Sequence, residues 1–202
     1  SKNNFYGMNL NGTYIIKIDG KTKKVTPYAT PTPNAGPRRG HMDAQDRLWF
    51  AEFRGNKIGM FDTKTEKFQE WSVPTAWTNV YDAIADKAGF AWAGGMNNDR
   101  IVRVNTKSGE VVATIPMEGK PEFAVSRGDG TVFVNIEDKN EIAEIDGKNA
   151  KVVRRWPLTP CESPSGLAYD VKHERLFSVC DGGVMAVSDA KAGKVVTTVA
   201  IG

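Results

Sequence analysis

The sequence predicts an all-β fold built from repeated four-stranded sheets, and a recurring turn motif is the main reason. A pattern of Asp or Asn, any residue, Lys, two further residues and Lys or Glu occurs five times. Successive copies begin 43, 43, 41 and 43 residues apart, at Asp19, Asp62, Asn105, Asp146 and Asp189. Each copy lies between two alternating apolar runs, as a hairpin turn does. A period of about 40 to 45 residues with several short strands per unit is typical of a β-propeller.

Each repeat contains short apolar runs that we assign to strands a to d, from the propeller axis outward. Strands b and c precede the turn, for example at 48–52 and 58–61, and strand d follows it. Strand a precedes strand b in four repeats, at 39–43, 82–86, 122–126 and 165–170. The chain therefore reads as one array, 1–202, with blades at approximately 1–31, 32–74, 75–117, 118–158 and 159–202.

The first repeat lacks strand a, because the chain reaches its first apolar run at Phe5 and that run is a strand b. Propellers usually close when one terminus completes the blade of the other, which removes open edges. We therefore expect either a first blade of three strands or further residues beyond Gly202, and we favour further residues. An open edge near 5–9 would be a site for strand pairing with a partner.

The composition is that of an ordinary globular protein. The 202 residues are 40% hydrophobic and 25% charged, with a net charge of +3. No apolar run approaches the length of about 18 residues that a membrane-spanning helix needs. The mild positive charge does not by itself argue for a nucleic-acid partner.

Two groups of motifs resemble known propeller families. TPTPNAGP at 30–37, LWFAE at 48–52 and GNKIG at 55–59 resemble virginiamycin B lyase-like propellers, and this likeness covers roughly 1–110. PCESPSGLA at 160–168, RLF at 175–177 and GKVV at 193–196 resemble YncE-like propellers of the YVTN repeat class. Both resemblances imply seven blades, so that five repeats would leave two outside this chain.

The lyase resemblance implies a Mg²⁺-dependent enzyme that opens a cyclic depsipeptide antibiotic. It implies a His at the start of a strand a and a Glu at the end of the next strand b. Glu52 matches the Glu position, but Arg38 stands at the His position. A guanidinium with a pKa above about 12 cannot act as a base near neutral pH. We expect Arg38 to hold Glu52 ionised and to repel Mg²⁺, so we predict no catalytic residue, metal ligand or cofactor.

We predict a non-enzymatic binding propeller whose small polar or anionic ligand, or protein partner, meets the axis mouth. Propeller ligands usually bind there, on the loops that join strand d to a and b to c. The candidate ligand-binding residues are Arg38, Glu52, Arg54, Trp77, Tyr81 and Glu122.

Two alternatives remain open. One is a Mg-dependent streptogramin-type lyase, the only interpretation that requires Mg²⁺. The other is a YncE-like propeller that binds single-stranded DNA through a ring of turn lysines. These lysines are Lys21, Lys64, Lys107, Lys148 and Lys191. We do not favour nucleic acid, because the turns lack the aromatic residues that interleave with basic groups in nucleic-acid grooves.

The two cysteines fall at the same end of the last repeat. Cys161 precedes strand a and Cys180 ends strand b, so both a disulfide and a pair of free buried thiols are open. A disulfide fits an oxidising compartment, and we expect a periplasmic or secreted protein. His41 is expected to be a hydrogen-bonded strand residue and His173 to be solvated, which together do not predict a zinc site.

Overall fold

The computed structural model describes residues 3–202 as 19 β-strands and one short 3-10 helix at Glu137–Lys139. The strands are β1 (Asn4–Met8), β2 (Tyr14–Asp19), β3 (Val25–Ala29), β4 (Pro37–Met42), β5 (Arg47–Glu52), β6 (Lys57–Asp62), β7 (Lys67–Ser72), β8 (Val80–Ala85), β9 (Phe90–Gly95), β10 (Arg100–Asn105), β11 (Val111–Pro116), β12 (Pro121–Ser126), β13 (Thr131–Ile136), β14 (Glu141–Asp146), β15 (Lys151–Pro157), β16 (Glu162–Asp170), β17 (Arg175–Asp181), β18 (Val184–Asp189) and β19 (Lys194–Ala200). Nothing helical within this range has the length and apolar character that crossing a bilayer requires.

The strands form five antiparallel sheets of consecutive strands, which we call blades 1 to 5. Blade 1 has three strands, β1-β2-β3, and each of the other blades has four. The first strands of blades 2 to 5, β4, β8, β12 and β16, contact one another in sequence, and the last strand of each blade lies at the opposite edge. The predicted all-β propeller array is therefore confirmed, with strand a innermost.

Alternation along strand b fills the cores between blades, because successive side chains of a strand point to opposite faces. Leu48 and Phe50 pack in the core between blades 1 and 2. Trp49 and Ala51 pack in the core between blades 2 and 3. The aromatic residues of strand b that pack between blades, as predicted, are Tyr6, Trp49, Trp92 and Phe133. Phe177 in blade 5 is only partly buried.

The turn motif forms the hairpins that the sequence predicts. The Asp19 carboxylate accepts hydrogen bonds from the amides of Lys21 and Thr22, at 2.9 and 2.8 Å. Amide-to-side-chain bonds of the same kind form at Asp62, Asn105, Asp146 and Asp189. A positive φ occurs at the fifth position of each motif. Gly supplies it in two copies, whereas the others use Lys23, Glu66 and Ala150.

Replacing Lys23 by Gly is expected to stabilise the protein. Lys23 has φ of +61°, and this left-handed conformation costs an L-residue roughly 1–2 kcal/mol. The greater freedom of Gly in the unfolded chain offsets part of this gain, which leaves about 0.5–1 kcal/mol. Urea unfolding measures the change. Lys21→Gly, two positions earlier at an ordinary φ, is the control and should lower stability.

Candidate functional site

The four inner strands approach the axis mouth through β-bulges near their first residues. The ladder shifts between Arg38 and Gly40 in β4 and between Val80 and Asp82 in β8. It also shifts early in β12 and β16. A bulge leaves a residue unpaired and changes the direction of neighbouring side chains. These shifts occur at the positions where the sequence predicts the mouth of the propeller.

Arg39 connects four blades at this mouth. Its Nη2 lies 2.9 Å from Oε2 of Glu122, which makes an ion pair without the alignment of a hydrogen bond. Arg39 also donates to the Tyr81 hydroxyl at 3.3 Å and to the carbonyl of Ser165 at 3.4 Å. Burial raises the pKa of Glu122, although the Arg39 charge and the Tyr81 hydroxyl oppose this effect. The predicted residue Glu122 thus neutralises Arg39.

Arg38 differs from Arg39 because its charge has no partner. Its guanidinium carbon lies 3.5 Å above the Tyr81 ring centroid and 5.4 Å from that of Phe53. Such cation–π contacts contribute about 0.5–2 kcal/mol. Across residues 3–202 no carboxylate pairs with Arg38, and its Nε is buried without a hydrogen bond. The mouth therefore presents a positioned guanidinium that forms no ion pair, although the Glu122 charge acts on it at longer range.

Arg54 and Trp77 line a cavity of 280 Å³ together with Phe53, Asn56 and Asn79. Arg38 does not line this cavity, and Phe53, which contacts Arg38, connects the two. The Trp77 side chain is 84% exposed and has φ of +58°. Within the described part of the chain, Arg54 donates only to the Asn34 carbonyl, at 3.3 Å. The Phe53 ring meets the Tyr81 ring edge-on, with centroids 6.4 Å apart, a distance that is usual for aromatic pairs. We call Arg38, Phe53, Arg54, Trp77 and Tyr81 the mouth site.

Glu52 does not join the mouth site, which corrects the sequence-based expectation. Its side chain is 0% exposed, and neither carboxyl oxygen accepts a hydrogen bond in the described range, although the protonated carboxyl can donate one to Glu70. The carboxyl lies over Gly55 and Gly59, within blade 2. Alternation explains this placement, because Glu52 shares its strand face with Leu48 and Phe50. Glu52 therefore cannot pair with Arg38 or Arg54.

The charge predicted for Glu52 is also wrong. Burial raises the pKa of Glu52 to about 8, and the charge of Glu70 adds to this effect while Lys57 opposes it. Glu70 accepts hydrogen bonds from Thr32 at 2.6 Å and from Lys57 at 2.9 Å. Burial raises the pKa of Glu70, but these donors outweigh it and hold that pKa below its ordinary value. Glu52 is thus the neutral member of a buried carboxyl pair.

With this geometry established, comparison with known proteins places the chain in a family. The sequence profile of the virginiamycin B lyase family matches residues 8–193. The chain belongs to the virginiamycin B lyase family. A search of curated protein sequences returned no match. The match extends through the second half, and the YncE-like resemblance of that half is not confirmed.

Solved structures of virginiamycin B lyases share the fold. The Staphylococcus aureus enzyme with selenomethionine is 23% identical with a TM-score of 0.84, over 100% of this chain and 68% of the lyase. A streptogramin B lyase is 22% identical with a TM-score of 0.85, over 100% and 66%. A catalytically inactive His-to-Ala variant of the S. aureus lyase with quinupristin is 21% identical with a TM-score of 0.84, over 100% and 67%. This chain thus spans about two thirds of their length, and at these identities the likeness shows the fold.

The residues of this family member do not fit Mg²⁺. Glu52 is buried and protonated near neutral pH, with the Lys57 ammonium beside its partner Glu70. Arg38 brings a positive charge to the mouth. Within 3–202, no group of three or more His, Cys, Asp and Glu side chains is arranged to hold a metal ion. We therefore derive no chemical step through a metal.

His41 was expected to be a hydrogen-bonded strand residue, and it is. Its Nε2 lies 2.7 Å from Oδ1 of Asp82, whose Oδ2 accepts the Ala124 amide at 3.1 Å. His41 also lines a cavity of 220 Å³ among the inner strands. His173 is exposed beside Asp170, at 2.6 Å. The roles of Asp82 and Phe53 were not predicted, because strand alternation gives no pattern that distinguishes these two residues from their neighbours.

The cysteines of this family member form a disulfide in blade 5. The Cα atoms of Cys161 and Cys180 are 5.5 Å apart, inside the range that a disulfide needs. Both side chains are buried in the core between blades 4 and 5. Of the two alternatives left open by the sequence, the structure has the disulfide.

Proposed function

We propose that this family member is a non-enzymatic binding propeller that holds an anionic group at the mouth site, without a cofactor. The observation that supports this most directly is Arg38. It offers an unpaired guanidinium where the family resemblance implies a His base, and Tyr81 holds it in place. Guanidinium groups bind carboxylates and phosphates through paired hydrogen bonds. The ligand is a small acidic molecule or an acidic side chain of a protein partner.

The neighbouring groups suggest the rest of the ligand. Arg54 provides a second cation, and the exposed Trp77 ring provides a flat apolar surface beside the cavity of 280 Å³. Exposed Trp rings that remain rigid are frequent anchors of binding sites. We therefore propose a ligand in which a carboxylate meets Arg38 and an aromatic or apolar part covers Trp77. The disulfide supports our further proposal that the protein works in the periplasm or outside the cell.

A lyase is the second candidate, and the family match over residues 8–193 favours it. Against it stand Arg38 in place of a base and the protonated, buried state of Glu52. A general base must lie within hydrogen-bond reach of the proton that it removes, and Glu52 is 0% exposed. The YncE-like alternative, single-stranded DNA on the turn lysines, rests on sequence resemblance alone.

Arg38→Ala is expected to weaken binding of an aromatic carboxylate by about 10- to 100-fold, because a charged hydrogen bond contributes about 1.5–3 kcal/mol. Calorimetric titration with benzoate and with N-acetylglutamate measures the effect. Lys64→Ala, which removes one positive charge from an exposed turn, is the matched control and should leave both affinities unchanged. Equal losses in the two variants would show that net charge, and not the mouth site, attracts the ligand.

An activity assay on the same purified protein distinguishes binding from catalysis. We expect no ring opening when the protein is incubated with a streptogramin B antibiotic and Mg²⁺, followed by mass spectrometry. Ring opening that is abolished by Glu52→Gln would overturn the proposal and establish the lyase alternative.

A further inference from the structure

A second group of unpaired cations lies on the opposite rim, at a groove between blades 3 and 4. The groove encloses a cavity of 310 Å³. Three cationic side chains line it: Lys87, Arg103 and Lys148. These residues lie on β10 and on the turns that follow strands a and c, whereas the mouth site lies on the loops at the other end of the blades. We call this group the turn groove.

None of the three cations forms an ion pair or donates a side-chain hydrogen bond within residues 3–202. The Arg103 guanidinium lies 3.6 Å above the Phe90 ring centroid and 5.2 Å from a Trp92 ring centroid, and its Nε is buried without a hydrogen bond. The Lys87 ammonium lies over Gly128, where an added Cβ would be 3.4 Å from Nζ. Arg103 is thus held in place by aromatic rings without an ion pair, whereas Lys87 and Lys148 are exposed side chains at the edge of the cavity.

The carboxylates of the turn groove bind other donors. Asp86 accepts the indole N–H of Trp92 at 2.9 Å. Asp129 accepts from Arg127 at 2.8 Å, and this bond lowers the pKa of Asp129 to about 2. The Arg127 charge therefore offsets Asp129, and the three cations of the groove outnumber the remaining carboxylate, Asp86.

The repeats provide an internal comparison for Arg103. Lys17, Met60, Glu144 and Val187 occupy the same position, two residues before the turn motif, in the other blades. Lys17 pairs with Glu66 at 3.0 Å, and Glu144 accepts from Arg154 at 2.8 Å. The charged residues at this position are therefore paired in blades 1 and 4, whereas Arg103 in blade 3 is not. The unpaired charge is not a requirement of the repeat.

Glycine leaves the floor of the turn groove bare. Gly128 and Gly130 have φ of +92° and +102°, a conformation that L-residues rarely adopt. A Cβ on Gly147 would lie 2.3 Å from the Gly130 carbonyl oxygen. These glycines add no side chain of their own to the groove, so that a small anion can approach the three cations.

We propose that the turn groove binds a phosphate group, as the free ion or as a small phosphate ester. Arg103 supplies a planar fork of donors, and Lys87 and Lys148 supply ammonium groups that adapt to the remaining oxygens. The doubly charged form is favoured because three cations converge on one cavity. This site is separate from the mouth site and does not depend on the function proposed for it.

The test compares Arg103→Met and Lys148→Met with wild type. Met at position 103 copies Met60 of blade 2, and Lys148 is exposed, so both variants should fold. Calorimetry with inorganic phosphate and with glycerol 3-phosphate, at fixed ionic strength, should show at least about tenfold weaker binding in each variant. Lys64→Met removes the same turn lysine from blade 2 and should change affinity by less than about twofold.

Each outcome bears on the proposal. Equal affinities for the two probes assign the site to free phosphate, and tighter binding of the ester assigns it to a phosphorylated small molecule. Absence of phosphate binding, or an equal loss in Lys64→Met, would overturn the proposal. Phosphate binding that is lost in Arg38→Ala and kept in Arg103→Met would overturn it too, because the phosphate would then sit at the mouth site. If a single-stranded oligonucleotide binds the protein and neither phosphate probe does, the rim binds nucleic acid and the phosphate proposal is wrong.

Discussion

Replacing Glu52 by Gln is expected to remove a fall in stability that wild type shows as the pH rises towards 8. The pKa of Glu52 is about 8 in the folded protein, against an ordinary value of 4.5. Between these values the folded state binds more protons than the unfolded state. The stabilisation is therefore complete below the unfolded pKa and is lost as the pH rises through the folded pKa. Gln keeps the shape of the neutral carboxyl but cannot ionise.

The expected effect is large compared with the stability of a typical domain. A shift of this size corresponds to at most about 5 kcal/mol, and whole proteins are stable by about 5–15 kcal/mol. Urea unfolding at pH values from about 5 to about 9, in steps of about half a unit, measures it. Glu52→Gln should resemble wild type at about pH 5 and exceed it at about pH 9.

Glu110→Gln is the matched control, because Glu110 is an exposed carboxylate in the turn of blade 3. It should leave the pH dependence unchanged. If Glu52→Gln also followed the wild-type curve, Glu52 would be ionised at neutral pH, and the argument against a lyase would lose its support from the protonation state.

The fold could be predicted from the sequence because each signal recurs in five places. The Asp and Asn residues of the turn motif bind backbone amides in every repeat, so one local interaction fixes five hairpins. Alternation then decides which side chains face which neighbouring blade. The positive φ of Lys23 was not predictable, because this copy of the motif has Lys at the position where blades 3 and 5 have Gly.

The candidate site could be predicted only in part. Arg38 and Tyr81 meet because they occupy equivalent positions of adjacent repeats, which the alignment shows. Glu52 was placed wrongly, although its separation by two from Phe50 already assigned it to the face of blade 2 that packs on blade 1. Arg39 can contact Ser165 because β4 has a bulge and Arg39 itself has φ of +43°. The sequence around Arg39 predicts neither feature.

The two proposed binding surfaces share one arrangement, at opposite ends of the blades. Arg38 lies on the Tyr81 ring and Arg103 on the Phe90 ring, each without a carboxylate partner in the described part of the chain. An aromatic ring fixes the position of a guanidinium and leaves its donors free, whereas an ion pair such as Arg39 with Glu122 uses them. Aromatic support without a counter-ion is therefore the feature by which we distinguish binding arginines from structural ones.

Reduction of the Cys161–Cys180 disulfide is expected to lower the free energy of unfolding by about 3 kcal/mol, because the bond closes a loop of 19 residues in the unfolded chain. In a protein of this size the melting temperature should fall by roughly 6–12 °C. Thermal unfolding with and without dithiothreitol measures the change. Cys161→Ala/Cys180→Ala should be at least as unstable as the reduced protein, since both sulfurs are buried and their removal leaves a cavity.

The alanine double variant also serves as the control, because dithiothreitol should not change its melting temperature. Thiol titration of the protein unfolded without reductant should find no free thiol if the bond is formed. Two free thiols, together with a melting temperature that dithiothreitol does not change, would establish the alternative of two buried cysteines. The disulfide supports a periplasmic or secreted location because glutathione keeps cytosolic thiols reduced. Without the bond, that location would rest on family resemblance alone.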